Sequence, residues 1–253
     1  MLYRGIEGQL YSPADLTGTY NGYPIFIVAG SPVIKELPLE MLEASRLPTL
    51  ALNNVPYIYS NPTMWLTADR PECFGGHLYA RADIIKFAYM NHRDKIVKAT
   101  KKPVKAHPLM FLYTLREGEN IVEEFFSEEP VFSWWKSVFP ISLQLAWRLG
   151  ARRVYLVGSS FKTSRAAPYA WDVEFTRRQT IYSQLTYEQD LDRLKELHPA
   201  FKDNGFVVVS CTPDSKANDF LPYIDLSKAI EHELKRMPAK TPTSQLRHSS
   251  DTK

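Results

Sequence analysis

Pro24-Ile25-Phe26-Ile27-Val28-Ala29-Gly30 and Arg152-Arg153-Val154-Tyr155-Leu156-Val157-Gly158 are short apolar runs, each ending in glycine. Such runs lack the apolar–polar alternation of a half-exposed strand and read as strands buried on both faces, as in a parallel sheet. Working outward, Thr49 to Leu52, Thr63 to Thr67, Met110 to Tyr113 and Gly205 to Ser210 read as further strands, with a shorter one at Val104. Helices fit Pro38 to Ser45, residues 139–149 with Gly150 as the stop, Thr186 to Leu197, and Leu226 to Arg236. Strands alternating with helices predict an α/β domain over residues 1–237, with a mainly parallel sheet flanked by helices. The strands starting near Pro24, Thr49 and Arg152 are expected to be parallel neighbours. Residues 1–23 read as an irregular lead-in, and the Pro-, Ser- and Thr-rich residues 238–253 as a disordered tail.

In parallel sheets, ligands sit beyond the carboxyl ends of the strands. Those ends here are Gly30-Ser31, Asn53-Asn54, Asp69, Gly158-Ser159-Ser160 and Ser210 to Thr212. Small and polar residues at five strand ends suit a nucleotide pocket, although turn formers gather at strand ends in any protein. The dinucleotide fingerprint and the P-loop are both absent. Asp69 could hold Mg²⁺ on a diphosphate or act as a general base; equally, it could cap the turn before Pro71.

With 31 Lys and Arg against 28 Asp and Glu, the net charge of +3 is too slight to imply nucleic acid by itself. The most basic stretch runs from His92 to His107, through Arg93, Lys95, Lys98, Lys101, Lys102 and Lys105. It fits either a solvated face or an anionic acceptor, and its few aromatic residues give base stacking little support. Cys73 and Cys211 form neither a disulfide framework nor a metal motif. Trp134-Trp135 reads as core, with an acceptor platform as the other option. No apolar run approaches the roughly 18 residues of a membrane span. The chain therefore reads as soluble and cytoplasmic.

The order of motifs carries a resemblance. VAGSPVIKELPLEMLEASRLP is similar to the first βα unit of bacterial sialyltransferases that use CMP-sialic acid. It is also similar to the wider Rossmann-like group related to flagellin-glycosylation and pterin-pyrophosphokinase proteins. SLQLAWRLGARRVYLVGSSF resembles the helix, Leu-Gly, strand and Gly-x-Asp-Phe of that group, with Ser160 in place of the aspartate. Pro168-Tyr169-Ala170-Trp171-Asp172 resembles the aromatic start of its lid segment, and FVVVSCTPDSKANDFLPYIDL its strand ending in a cysteine turn. The resemblance spans about Ile25 to Leu226.

It implies a Rossmann-like transferase using a nucleotide-activated donor, most simply a nucleotide sugar, with a lid after the Gly158 strand. Gly30 and Ser31 would lie by the phosphate, and Asn53 or Asn54 would bind the nucleotide. Gly158, Ser159 and Ser160 would line the base and ribose. Asp69 falls where the sialyltransferases have a donor-touching asparagine. Tyr169 matches a tyrosine that stabilises the departing phosphate, and Lys162 stands at the place of a second one. No histidine occurs at Ser183 to Tyr187, where the family has its base; Asp69 and Glu188 are the acids that could replace it. The alternatives are a Mg²⁺-dependent diphosphate transfer and a non-catalytic nucleotide- or nucleic-acid-binding module.

Overall fold

In a computed structural model, residues 2–5, 12–118, 120–127, 129, 131–134, 136–163, 166–171 and 176–236 are described. The expected tail at 238–253, Trp135 and Asp172 lie outside them.

The elements follow in chain order as β1 (Leu2–Arg4), β2 (Ser12–Ala14), β3 (Pro24–Val28), α1 (Leu39–Ser45), β4 (Thr49–Leu52), β5 (Met64–Thr67), α2 (Gly76–Ala80) and β6 (Ile85–Tyr89). Next come a two-stranded ribbon of β7 (Ile96–Val97) and β8 (Lys102–Pro103), then β9 (Met110–Tyr113), β10 (Leu115–Glu117), α3 (Ile121–Phe126), β11 (Phe132–Trp134) and α4 (Val138–Arg148). The chain continues through β12 (Arg153–Val157), α5 (Arg177–Asp203), β13 (Val207–Ser210) and α6 (Leu226–Arg236).

Nine strands form one sheet in the order β13-β12-β3-β4-β5-β6-β9-β1-β2. From β13 to β9 every pairing is parallel, including the expected β12–β3 and β3–β4 neighbours, where Val154 lies opposite Ile25 and Ile27 opposite Leu50. The fold is thus α/β with a mostly parallel sheet flanked by helices. Strand β3 supplies both faces of the core. Ile25 and Ile27 pack with Phe125, Leu143, Leu145, Leu194 and Phe201 of α3, α4 and α5, while Phe26 and Val28 pack with Leu42, Leu226 and Ile230 of α1 and α6. After β3 the chain adds β4, β5, β6 and β9 on one side, then returns to place β12 and β13 on the other. The order reverses at the β3–β12 boundary, which opens a crevice beyond their carboxyl ends.

Several expectations are corrected. Residues 1–23 are not all irregular, because β1 and β2 extend the sheet antiparallel beside β9. Val104 begins a single tight 3₁₀ turn rather than a strand. Strand β6 escapes a reading by apolar runs because Lys86 sits inside it, fully buried, with its Nζ donating to the carbonyls of Arg81 and Ile84. Helix α5 starts at Arg177, not Thr186, on a capping box in which Thr176 accepts from the Gln179 N–H and the Gln179 side chain accepts from the Thr176 N–H. Its first turns hide from a periodicity reading because Ile181, Tyr182 and Leu185 are exposed. The connection after β12, expected as a lid, therefore ends at the Thr176 cap. Among the described residues no helix is long and apolar enough to cross a membrane.

Candidate functional site

A cleft of about 700 Å³ opens over the carboxyl ends of β3, β4, β5 and β12. Its floor is Ala29 to Ser31, Asn53-Asn54, Ala68-Asp69 and Gly158 to Lys162; Tyr169 and Trp171 form one wall, and the starts of α4 and α5 form the other. Ten of the residues singled out above (Gly30, Ser31, Asn53, Asn54, Asp69, Gly158, Ser159, Ser160, Lys162 and Tyr169) line it. The strand end at Ser210 to Thr212 does not. Thr212 instead braces the floor, its Oγ1 donating to the Leu156 carbonyl at 3.1 Å and accepting from the Ser159 N–H at 3.0 Å.

Local structure decides what each strand end can offer. Gly30 has to be small to admit an indole, since a Cβ there would lie 2.4 Å from the Trp171 ring. The Ser31 N–H is spent on the Gly158 carbonyl at 3.1 Å, so Ser31 offers its hydroxyl, not a backbone anion cradle. Asn53 has a left-handed backbone, φ 49°. Its N–H donates to Leu66 at 3.0 Å and its carbonyl accepts from Trp65 Nε1 at 2.7 Å, which leaves the side chain for the cleft. Ser159 is pinned the same way, because its carbonyl accepts from Ser215 Oγ at 2.6 Å.

The clearest feature is a set of buried polar atoms without partners. Ser31 Oγ, Asn53 Oδ1, Asn54 Oδ1, Ser159 Oγ and Asp190 Oδ1 each lack a hydrogen bond, and all five residues line this cleft. An unpaired buried polar group costs about 1–3 kcal/mol. Such groups are few in native folds, and each calls for an explanation. Five around one cavity point to a bound molecule that pairs with them.

The electrostatics divide the cleft. Lys136 and Lys162 are exposed at its rim. Asp69 faces solvent at the mouth, yet the surrounding walls push its carboxyl above the usual range, with nearby His92 pulling the other way. Tyr169 stacks on Trp171 with ring centroids 4.6 Å apart and accepts a hydrogen bond from the Tyr187 hydroxyl. Asp190 is 2% exposed, and burial pushes its carboxyl up to about 7 against a hydrogen bond from Ser137 and the charge of Arg193.

Asp190, Tyr187, Lys136 and Ser137 have no role assigned from the sequence. The signal was present: Ser183, Thr186, Tyr187 and Asp190 recur at helical spacing, so one face of α5 turns a polar stripe into the cleft. Glu188 is on another face, exposed and accepting from Gln184 Nε2 at 2.8 Å; it does not line the cleft. Nor does the basic stretch, which builds the β7–β8 ribbon, where Asp94 pairs with Arg93 at 2.8 Å and Lys105 at 2.9 Å.

Comparison of the chain with protein-family models, with curated proteins and with solved structures finds no match.

Proposed function

We propose that the chain is a transferase acting on a nucleotide-activated donor, most simply a nucleotide sugar. The observation that carries this reading is the convergence of five buried, unpartnered polar atoms on one cleft at the point where the strand order reverses. A nucleotide brings hydroxyls and ring nitrogens to the atoms of Ser31, Asn53, Asn54 and Ser159 and anionic oxygens to the lysines, which leaves the Asp190 oxygen for the second substrate. In this reading the sheet is Rossmann-like, and the segment after β12 is a lid, tied down by the Ala170 N–H on the Gly30 carbonyl at 3.0 Å. Asn53, Asn54, Ser159 and Ser160 hold the nucleotide. Lys162 and Tyr169 stabilise the phosphate as it departs, a cation and a hydroxyl doing the same electrostatic work. The resemblance in motif order supplies the donor class.

A thermal-shift screen of CMP-, CDP-, UDP- and GDP-linked donors tests it. Free donor at about ten times its dissociation constant stabilises by about 1.4 kcal/mol, which is a rise of about 3–6 °C for a chain of this size. No shift with any of them refutes the proposal. The rival diphosphate transfer would place Mg²⁺ on Asp69, with substrate phosphates supplying most of the other ligands. Among the described residues no group of three His, Cys, Asp or Glu side chains could hold the ion alone. Turnover that survives EDTA excludes that rival, and donor binding without any turnover indicates the non-catalytic module.

A further inference from the structure

The deepest part of the cleft holds a carboxyl group to which the sequence reading gave no role. Asp190 comes from the middle of α5, one helical turn past Tyr187, and meets the N-terminus of α4. Ser137 connects the two helices. Its Oγ accepts from the Phe139 N–H at 3.0 Å, capping α4, and its hydroxyl hydrogen-bonds the Asp190 carboxyl. That accounts for one carboxyl oxygen; Oδ1 has no partner and no solvent. A structural aspartate would use both oxygens, because a buried carboxylate is tolerated only when its lone pairs are satisfied.

We propose that Asp190 is the general base of this cleft: it removes the proton from an acceptor hydroxyl as that oxygen displaces the donor's phosphate. The inference rests on the transferase reading. The acceptor O–H bond breaks and its proton passes to the Asp190 carboxylate. The acceptor oxygen forms a bond to the donor carbon, and the bond from that carbon to the phosphate oxygen breaks. Its electron pair stays on the departing phosphate oxygen, whose negative charge Lys162 and Tyr169 stabilise. No oxidant, metal or further reactant is needed for balance.

The surroundings suit the task. A base works best when its proton affinity lies near the working pH, and burial moves Asp190 to about 7. Of the charged and titratable groups, Arg193 and Tyr187 on α5 act on it directly, while Tyr182 on α5 and Asp69, Cys73, Lys136, Lys162 and Tyr169 on the other elements line the same cleft. Asp69 at the mouth is an open, solvent-facing acid. Asp190 is therefore the carboxyl group from which water is excluded while an acceptor is bound.

The test uses the full chain and whichever donor shifts its melting temperature, with water as the acceptor so that turnover is read as donor hydrolysis, and with Asp190→Asn and Ser137→Ala as variants. Folding is checked by circular dichroism. Wild-type turnover should rise with pH to a plateau, with a midpoint near 7. Asp190→Asn should bind the donor within about twofold of wild type, lose about 10²–10⁴-fold in turnover, and show no such limb. Ser137→Ala removes a hydrogen bond that favours the carboxylate, so its limb should move to higher pH. If both variants keep the wild-type limb and rate while binding donor, the general-base role is wrong and the transferase reading survives. If wild type binds no donor at all, the transferase reading falls and takes this role with it.

Discussion

A carboxyl group kept near neutral pH by burial should weaken the fold, and Asp190 allows the effect to be sized. Its carboxyl stands at about 7, against 3.8 in its ordinary setting. At about 1.4 kcal/mol per pH unit, the gap of about three units means that ionising Asp190 in the native state costs on the order of 4 kcal/mol. Below pH ~4 the group is protonated in both the folded and the unfolded chain, and the fold loses nothing. Between pH ~4 and ~7 the native chain holds a proton that the unfolded chain has released, so stability falls as pH rises. Above pH ~7 the full penalty applies. Asp190→Asn carries no charge at any pH. Its advantage over wild type should be about 1–2 kcal/mol at pH 5 and should approach 4 kcal/mol at pH 8. For a chain of this size each kcal/mol moves the melting temperature by about 2–4 °C, so the gap should widen by about 5–10 °C across that interval. Paired melts of wild type and variant in matched buffers at pH 5, 6, 7 and 8 measure it. A gap that stays constant with pH would mean that Asp190 is already ionised at pH 5, and the reasoning fails. The expected outcome, a variant that is more stable and less active, is the usual signature of a site that gives up stability for function.

Two further outcomes follow from the cleft. Tyr169→Phe and Lys162→Met should each lower turnover by about 100-fold, the effect of losing roughly 3 kcal/mol of transition-state stabilisation, while donor binding by thermal shift changes little; full activity in both removes them from the mechanism. Gly30→Ala places a methyl 2.4 Å from the Trp171 ring, so it should cost about 1–3 kcal/mol of stability and shift tryptophan emission; a silent substitution contradicts the packing of Trp171 on Gly30.

The strands were legible where burial is uniform. In β3, β4, β5 and β9 every residue is buried, so their sequences are continuous apolar runs and the sheet follows from them. Strand β6 is buried almost as fully, but its second residue is Lys86, and a charge satisfied by backbone carbonyls looks, in sequence, like a turn. The strand ends of the site were legible too, because position beyond a parallel strand is a topological property. Asp190 was not. A polar residue on a long helix reads as solvent-facing until α4 and the sheet close over it, and that closure depends on contacts far apart in the chain. The same limit applies to Glu188, one of the two acids offered in place of the histidine, which is two residues away but on another face of the helix and outside the cleft.

Asp190 can be weighed against the other buried acid among the described residues. Glu233 on α6 is fully buried. Burial alone would raise its carboxyl, yet hydrogen bonds from Arg153 and Tyr155 outweigh that and hold it below the usual range. Arg153 Nε and Nη2 donate at 2.7 and 2.8 Å, and the Tyr155 hydroxyl at 2.7 Å. The fold therefore has the means to satisfy a buried carboxylate and does so where α6 meets β12. At the cleft it leaves one oxygen of Asp190 unpaired. Nearby, Asn53, Lys136 and Phe161 hold left-handed backbones at φ 49°, 70° and 53°, and all three line the cleft. Unpaired polar atoms and unfavourable backbone angles each lower stability, and both are usual at functional sites. Among the described residues, five of the eleven unpaired buried side-chain atoms and three of the seven left-handed non-glycine backbones lie around this one cavity. That concentration is what the proposed role of Asp190 accounts for: a substrate hydroxyl would supply the partner that the fold withholds from its Oδ1.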